Sequence, residues 1–426
     1  MQHTRTRGPA GARILAAAAL ALASGVAVAP AAGAAPAAPP RPAAPPRPAA
    51  HAERGWVGAW EASPAVGLSA PTGAESGSSV REVVHLSAGG AAVRIRLSNR
   101  FGTAPLTVGH VTVAVRAADG AGTAPGTLRE VTFHGARSAT VPAGADLTAD
   151  PALLPVRPGA DLLITVYLPV VSGPVTTHPL AQQTSYYAPG GDHADDVSGD
   201  AYTGTFGQWY YLTGVDVFDP PIRGSVVTLG DSITDGADST AGENHRWPDY
   251  LARRIQALPP SRRLGVLNAG ISGNRLLLDG GSYGVNALAR FDEDVLSRTD
   301  VRTLIVLEGI NDIQQSPHQT DPAKITAAYE AIAARAHARG ITVIGATLTP
   351  FKGWQVYDDT LEATREAVNA YIRTSRTFDA VIDFDAATRD PADPLALRPE
   401  YDSGDHLHPD DAGYRAMAEA VDLARL

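Results

Sequence analysis

The 426-residue chain has no cysteine. That absence excludes disulfides, thiolate nucleophiles and cysteine-ligated metal sites together. A basic stripe interleaved with aromatics is also missing, and the formal net charge is −10; such a surface repels a phosphate backbone, so nucleic acid is not an expected partner. The one long apolar run, from about Ile14 to Ala29, is shorter than the roughly 20 residues that a spanning helix needs. Two sequence signatures of other hydrolytic chemistries are lacking as well. No Gly-x-Ser-x-Gly elbow frames Ser232, and no His-Glu-x-x-His pair is available for zinc.

What is present begins with a leader. Arg5, Arg7 and Arg13 precede the apolar run without an acidic residue, and Ala32-Gly33-Ala34 follows it. This pattern predicts a signal peptide over 1–34, hence a secreted protein with no stable membrane insertion after cleavage. Because the leader carries three positive charges and no negative ones, its removal moves the net charge from −10 to −13. Residues 35–55 are Ala/Pro/Arg-rich, with Pro-Pro-Arg-Pro at 39–42 and again at 45–48. They read as an extended, solvated linker.

Residues 56–219 have a β texture. Segments 92–97, 106–115, 161–168 and 210–217 are alternating or rich in β-branched and aromatic residues, and Gly, Pro, Asn and Asp punctuate them. Short strands at this spacing predict an all-β, jelly-roll-like antiparallel sandwich. After the stiff junction Asp219-Pro220-Pro221, the pattern over 222–426 becomes alternating strands and helices. Strands are expected at 225–229, 264–268, 303–307, 342–347 and 380–384, with helices at 322–340, 358–377 and from 410 to the end. Trp247, Tyr250, Leu251, Ile255 and Leu258 fall on one face of a further helix. The fold class implied is α/β, a doubly wound parallel sheet of flavodoxin-like type, whose ligands meet the carboxyl ends of the strands.

Four segments lie at those ends: Gly230-Asp231-Ser232-Ile233, Gly270-Ile271-Ser272-Gly273-Asn274, Gly309-Ile310-Asn311-Asp312 and Asp405-His406-Leu407-His408. Together they hold the parts of an ester-cleaving serine enzyme. Ser232 offers a nucleophile, His408 a general base and Asp405 an orienting carboxylate, while Gly273 and Asn311 offer donors to a developing oxyanion. In this arrangement the chain resembles the GDSL, or SGNH, hydrolases, a family of esterases and lipases. The resemblance covers about 225–426: Gly230-Asp231-Ser232 with Gly236 matches the first block, Gly273 the second, Gly309 to Asp312 the third and Asp405-x-x-His408 the last, with Ile233 where many members have leucine. It implies a catalytic set of Ser232, Asp405 and His408, and an oxyanion hole formed by the Ser232 and Gly273 backbone amides and the Asn311 side-chain amide. No metal or organic cofactor is implied.

Each residue has a blander alternative. Ser232 could cap a helix, Asn311 could cap or turn its loop, His406 competes with His408, and Asp402 competes with Asp405. Asp231 and Asp312 are expected to brace loops through hydrogen bonds. Phe351, Trp354 and Tyr357 sit in the loop after the fourth strand and could either wall a substrate pocket or pack the loop down. Leu276, Leu277 and Leu278 could line an acyl pocket or bury. The expected substrate is a small-molecule, lipid or acetylated-glycan ester. The alternatives are an O-acetylesterase of polysaccharide and, in another class, a carbohydrate-binding protein with an idle hydrolase domain.

Overall fold

The computed structural model describes residues 54–118 and 120–426. The predicted leader and almost all of the linker lie outside the described residues. Among the described residues no helix is long and apolar enough to cross a membrane.

In the C-terminal half, five parallel strands run in the spatial order Gly265–Gly270, Ser225–Gly230, Val301–Leu307, Thr342–Ala346, Ala380–Ile382. This is the doubly wound order that places a switch point beside the first strand. The strands are nearly uninterrupted apolar sequence because helices cover both faces of the sheet. Register then sets the site. Gly230 pairs with Gly270 on one side and with Leu307 on the other, so three strands end level on one rim. Chain leaving that rim reaches Ser232 two residues on, Gly273 three residues on and Asn311 four residues on.

The helices follow the signals in the sequence, with two informative departures. The Pro322–His337 helix is capped by Asp321, and Asp358 caps the Asp359–Thr374 helix by accepting from the Thr360 and Leu361 amides. The latter ends three residues before the expected position. Phe378 is drawn under the sheet against Gly345, so the chain turns into extended backbone at Ser375. The last helix, Asp411–Ala420, also stops short of the C-terminus, because Val421 is buried and Arg254 Nη1 takes the Ala418 and Val421 carbonyls that a longer helix would use.

The N-terminal half is an antiparallel sandwich. A six-stranded sheet with Ser78–His85 and Asp161–Leu168 at its centre faces a four-stranded sheet formed by Trp56–Glu61, Leu212–Phe218, Val93–Ser98 and Asp146–Thr148. Val80, Val84, Ile95, Leu97, Val113, Ile164, Val166 and Val215 fill the space between them.

The sandwich does more than precede the α/β half. Strand Gly265–Gly270 lies at one side of the parallel sheet, where its unpaired backbone groups would be free to template aggregation. Strand Trp56–Glu61 covers it. Ala62 forms a parallel bridge to Asn268, the Gly58 amide donates to Ser225 Oγ at 2.9 Å, and the Val266 amide donates to Ser87 Oγ at 2.9 Å. Ion pairs surround this seam: Arg298 with Glu61 at 2.7 Å, Arg100 with Asp294 at 2.7 Å, and Arg94 with Asp216 at 2.8 Å, where the Thr299 hydroxyl also donates to Asp216. Burial would push the Asp294 carboxyl up, but Arg100, Arg290 and Arg298 outweigh it and lower its pKa to about 2. The described residues form one compact unit.

Candidate active site

The local fold around Ser232 starts with Asp231. Its carboxylate accepts from the Ile233 amide and caps the short Ser232–Asp235 helix. The cap is therefore Asp231, which leaves the Ser232 hydroxyl free for another partner. That partner is His408, whose Nε2 lies 2.8 Å from Ser232 Oγ. On the far side of the ring, Nδ1 lies 2.6 Å from Asp405 Oδ2. The other Asp405 oxygen accepts from the Leu407 and His408 amides, both at 2.8 Å, so the carboxylate is locked in place by its own loop.

The competing residues form a separate pair. His406 Nδ1 lies 2.5 Å from Asp402 Oδ2, and the His406 side chain is half exposed. Both Asp/His pairings thus exist, three and four residues apart, and only the Asp405/His408 pair reaches a serine.

Charge in the site is graded. Burial disfavours a protonated His408, but the hydrogen bond and charge of Asp405, together with Asp238 and Asp231, raise its pKa above the ordinary histidine value. Burial likewise pushes Asp405 up, and it is outweighed by bonds from the His408 ring and the His408 and Leu407 amides, so its pKa falls well below the usual carboxylate range. Behind Ser232, burial pushes the Asp231 carboxyl up to about 7. Burial and the nearby Asp231 and Asp312 charges raise Glu308 as well. Asp312 braces the loop, accepting from the Leu276 and Leu277 amides at 2.7 and 3.0 Å.

The donors expected for an oxyanion lie on the two neighbouring strand ends. Gly273 has φ +77°, and a Cβ there would run into the Tyr283 ring; only glycine can hold this turn without moving the loop. Asn311 is buried, its Nδ2 donating to the Asn274 carbonyl at 3.0 Å and its Oδ1 accepting from Gln314 Nε2 at 2.7 Å. Those bonds fix the amide orientation and leave one N–H of Nδ2 to donate elsewhere. Gln314 in turn accepts from Trp354 Nε1 at 3.0 Å, and the Trp354 ring stands edge-on to His408 at 6.3 Å. The loop aromatics therefore divide. Trp354 reaches the site, Phe351 is fully buried beneath the loop and faces the core, and Tyr357 packs against Phe351 at 5.1 Å. Leu276 is likewise core, whereas Leu278 is exposed.

Four contributors escaped sequence reasoning. Gln314 stands one turn after Asn311 on the same helix, a spacing that could have flagged it. Asp238, half exposed at 3.5 Å from His408 Nδ1, is near Ser232 in sequence but carries no motif signal. Arg290 spans the rim from beneath, donating to the Gly230 and Ala269 carbonyls and to Asn274 Oδ1 at 3.1, 2.8 and 2.9 Å. His178, from the sandwich, lies 3.0 Å from Asp235. No local pattern announces either of the last two.

Among the described residues, Asp238, Asp405 and His408 form a group whose donor atoms are close enough to share a cation. Both His408 nitrogens are already engaged, one by Asp405 and one by Ser232. A separate cleft of about 280 Å³ lies between the sandwich and the Trp247–Gln256 helix, lined by Trp60, His85, Trp209 and Arg253 among others, but by neither Ser232 nor His408.

Set beside known proteins, the stretch that contains this geometry matches one family, the GDSL-like lipase/acylhydrolases, over residues 228–416. Residues 228–416 form a GDSL-like hydrolase domain. Similar solved structures include a GDSL-like lipase from Bacteroides thetaiotaomicron, 21% identical, with 46% of this chain and 84% of that one covered at a TM-score of 0.35. Another is an acetylxylan esterase from Geobacillus stearothermophilus, 22% identical, with 46% and 91% covered at a TM-score of 0.36. No curated protein matches the chain. The sandwich lies outside the GDSL-like match.

Proposed function

We propose that the protein is a secreted serine hydrolase that cleaves carboxylic esters through a Ser232-acyl intermediate. The observation that carries this reading is the unbroken line from Ser232 Oγ through His408 to Asp405, with contacts of 2.8 and 2.6 Å. A serine hydroxyl is a weak nucleophile alone, so His408 takes its proton as the hydroxyl attacks the ester carbonyl and returns that proton to the leaving alcohol. Asp405 holds the ring tautomer and stabilises the imidazolium. As the carbonyl becomes tetrahedral its oxygen gains negative charge, which in this reading the Ser232 and Gly273 amides and the free N–H of Asn311 receive. Water then enters, His408 takes its proton as it attacks the acyl carbon, and the imidazolium returns that proton to Ser232 Oγ as the acyl C–O bond breaks, releasing the acid. The basic, Ala/Leu/Val-rich N-terminus supports export.

The test is a panel of short- and long-chain nitrophenyl esters beside acetylated xylan and pectin, run with wild type and Ser232→Ala and paired with a fluorophosphonate probe. Wild-type turnover, its loss in the variant and labelling at Ser232 are expected. Turnover that survives Ser232→Ala, or labelling elsewhere, overturns the assignment.

A further inference from the structure

His178 ends the Val175–His178 strand of the sandwich and is 3% exposed. Its Nδ1 lies 2.8 Å from the Ser63 carbonyl, and its Nε2 lies 3.1 Å from the Leu180 carbonyl and 3.0 Å from Asp235 Oδ1. Carbonyls and carboxylates only accept, so both ring nitrogens must carry protons and the ring is an imidazolium. Burial opposes that charge, but Asp235 and the two carbonyls outweigh it and raise the pKa.

The opposite oxygen of Asp235 is equally committed. Oδ2 accepts from the Ser272 amide at 2.8 Å and from the Ser272 hydroxyl at 2.9 Å. Asp235 closes the one-turn helix that starts at Ser232, and Ser272 immediately precedes Gly273. A cation from the sandwich thus neutralises a buried carboxylate whose remaining lone pairs tie the second rim loop to the nucleophile's helix. Without that cation Asp235 would be a buried charge lacking a counterion, or would take up a proton and lose acceptor capacity toward Ser272. The neighbouring sandwich segment is clamped to the same place: Gln182 Nε2 donates to the Gly236 and Ser239 carbonyls, and Arg246 Nη2 donates to the Ala181 carbonyl.

We propose that His178 is a positioning residue for catalysis, supplied by the sandwich, which through Asp235 and Ser272 holds the Gly273 amide in register with Ser232. This rests on the hydrolase reading above. The role goes beyond stability because the last link of the chain is the loop that meets charge in the transition state, and small displacements there cost rate more than substrate binding.

The experiment measures kcat and KM on nitrophenyl acetate for full-length wild type, His178→Gln, His178→Phe and Ser272→Ala, each at a temperature where circular dichroism shows it folded. Gln retains a donor toward Asp235 but no charge. The expected result is a kcat loss of about 10- to 100-fold for His178→Phe, partial recovery in His178→Gln, a smaller loss in Ser272→Ala, and KM nearly constant throughout. Lowered melting temperature with unchanged kcat reduces His178 to a structural part and overturns the proposal. If the His178 variants do not fold, unchanged kcat in Ser272→Ala overturns it, because that variant removes one link without touching the buried cation. Wild-type turnover lost in Ser232→Ala but intact in these variants sinks this inference alone; absence of Ser232-dependent turnover sinks the hydrolase reading itself.

Discussion

At the scale of single residues, the site depends on how hydrogen bonds are assigned. Asn311 has one amide proton bound to Asn274 and its oxygen bound to Gln314, so the remaining proton has a defined direction. Losing that donor in Asn311→Ala should lower kcat by about 100- to 1,000-fold, with KM changed far less because the charge exists only in the transition state. Steady-state kinetics decide this, and a variant within a few-fold of wild type contradicts it. In the proposed reaction His408 must be neutral to act as base, and its pKa is raised above the ordinary 6.5. The acid-side fall of kcat/KM should therefore lie above pH 6.5. The same shift fixes the sign for stability: the contribution of the His408 ion pair is full below about 6.5 and is lost as pH rises through the raised value. Asp238→Asn removes a half-exposed carboxylate near the ring. An exposed pair is worth about 0.2–1 kcal/mol, so the acid limb should move down by roughly 0.1–0.7 pH unit. An unmoved or upward-shifted pH profile refutes that. The motif spacing singled out Asp405 and His408 over Asp402 and His406, yet the geometry gives both histidines an aspartate. What separates them is the approach to Ser232, a contact between residues 176 positions apart.

At the scale of elements, strand ends and helix caps were readable because their causes are local. Asp321 with Pro322 begins a helix, and apolar runs of five to seven residues bounded by loops become buried strands. Helix ends were less readable. Thr374 ends its helix because Phe378 must fold under Gly345, a tertiary demand invisible in the periodicity. The interior of the same helix offers a test. Arg365 is fully buried, bonding Glu362, Asp385 and the Leu348 carbonyl, and so ties the helix to the Phe384–Thr388 turn and to the start of the loop that carries Trp354. Arg365→Leu leaves the buried Glu362 carboxylate without its cation, although Asp385 keeps Arg373 and Arg389, which should cost about 3–5 kcal/mol. Denaturant titration of the variant measures this, and a loss below 1 kcal/mol would show that the network is dispensable. The Phe351 case has the same lesson. An aromatic in a loop beside a rim can point either way, and Phe351 points inward as part of the core.

At the scale of the whole molecule, the junction at Asp219-Pro220-Pro221 suggested two cores, and the two large hydrophobic clusters among the described residues belong mainly to one half each. Their boundary is not inert, however. Asp294 would lose Arg100, Arg298 would lose Glu61, Asp235 would lose His178, and the Gly265–Gly270 edge would lose its cover if the sandwich were removed. A fragment starting at Ile222 is therefore expected to be aggregation-prone, with a melting transition well below that of the full chain or none at all. Calorimetry and size-exclusion chromatography of the fragment check this, and a monomeric fragment with full-length stability and activity contradicts it.

The amino-acid sequence by itself determined the chemistry at the rim and the strand–helix grammar that carries it. Reactive residue types follow glycine-rich strand ends at short, fixed offsets, and offset along a chain is a local property. Only the tertiary structure decided how Gln314 and Trp354 orient Asn311, and that a histidine from the sandwich neutralises Asp235. Those are contacts between distant segments, and they are set by strand register and by the packing of one half of the chain against the edge of the other, neither of which any stretch of neighbouring residues encodes.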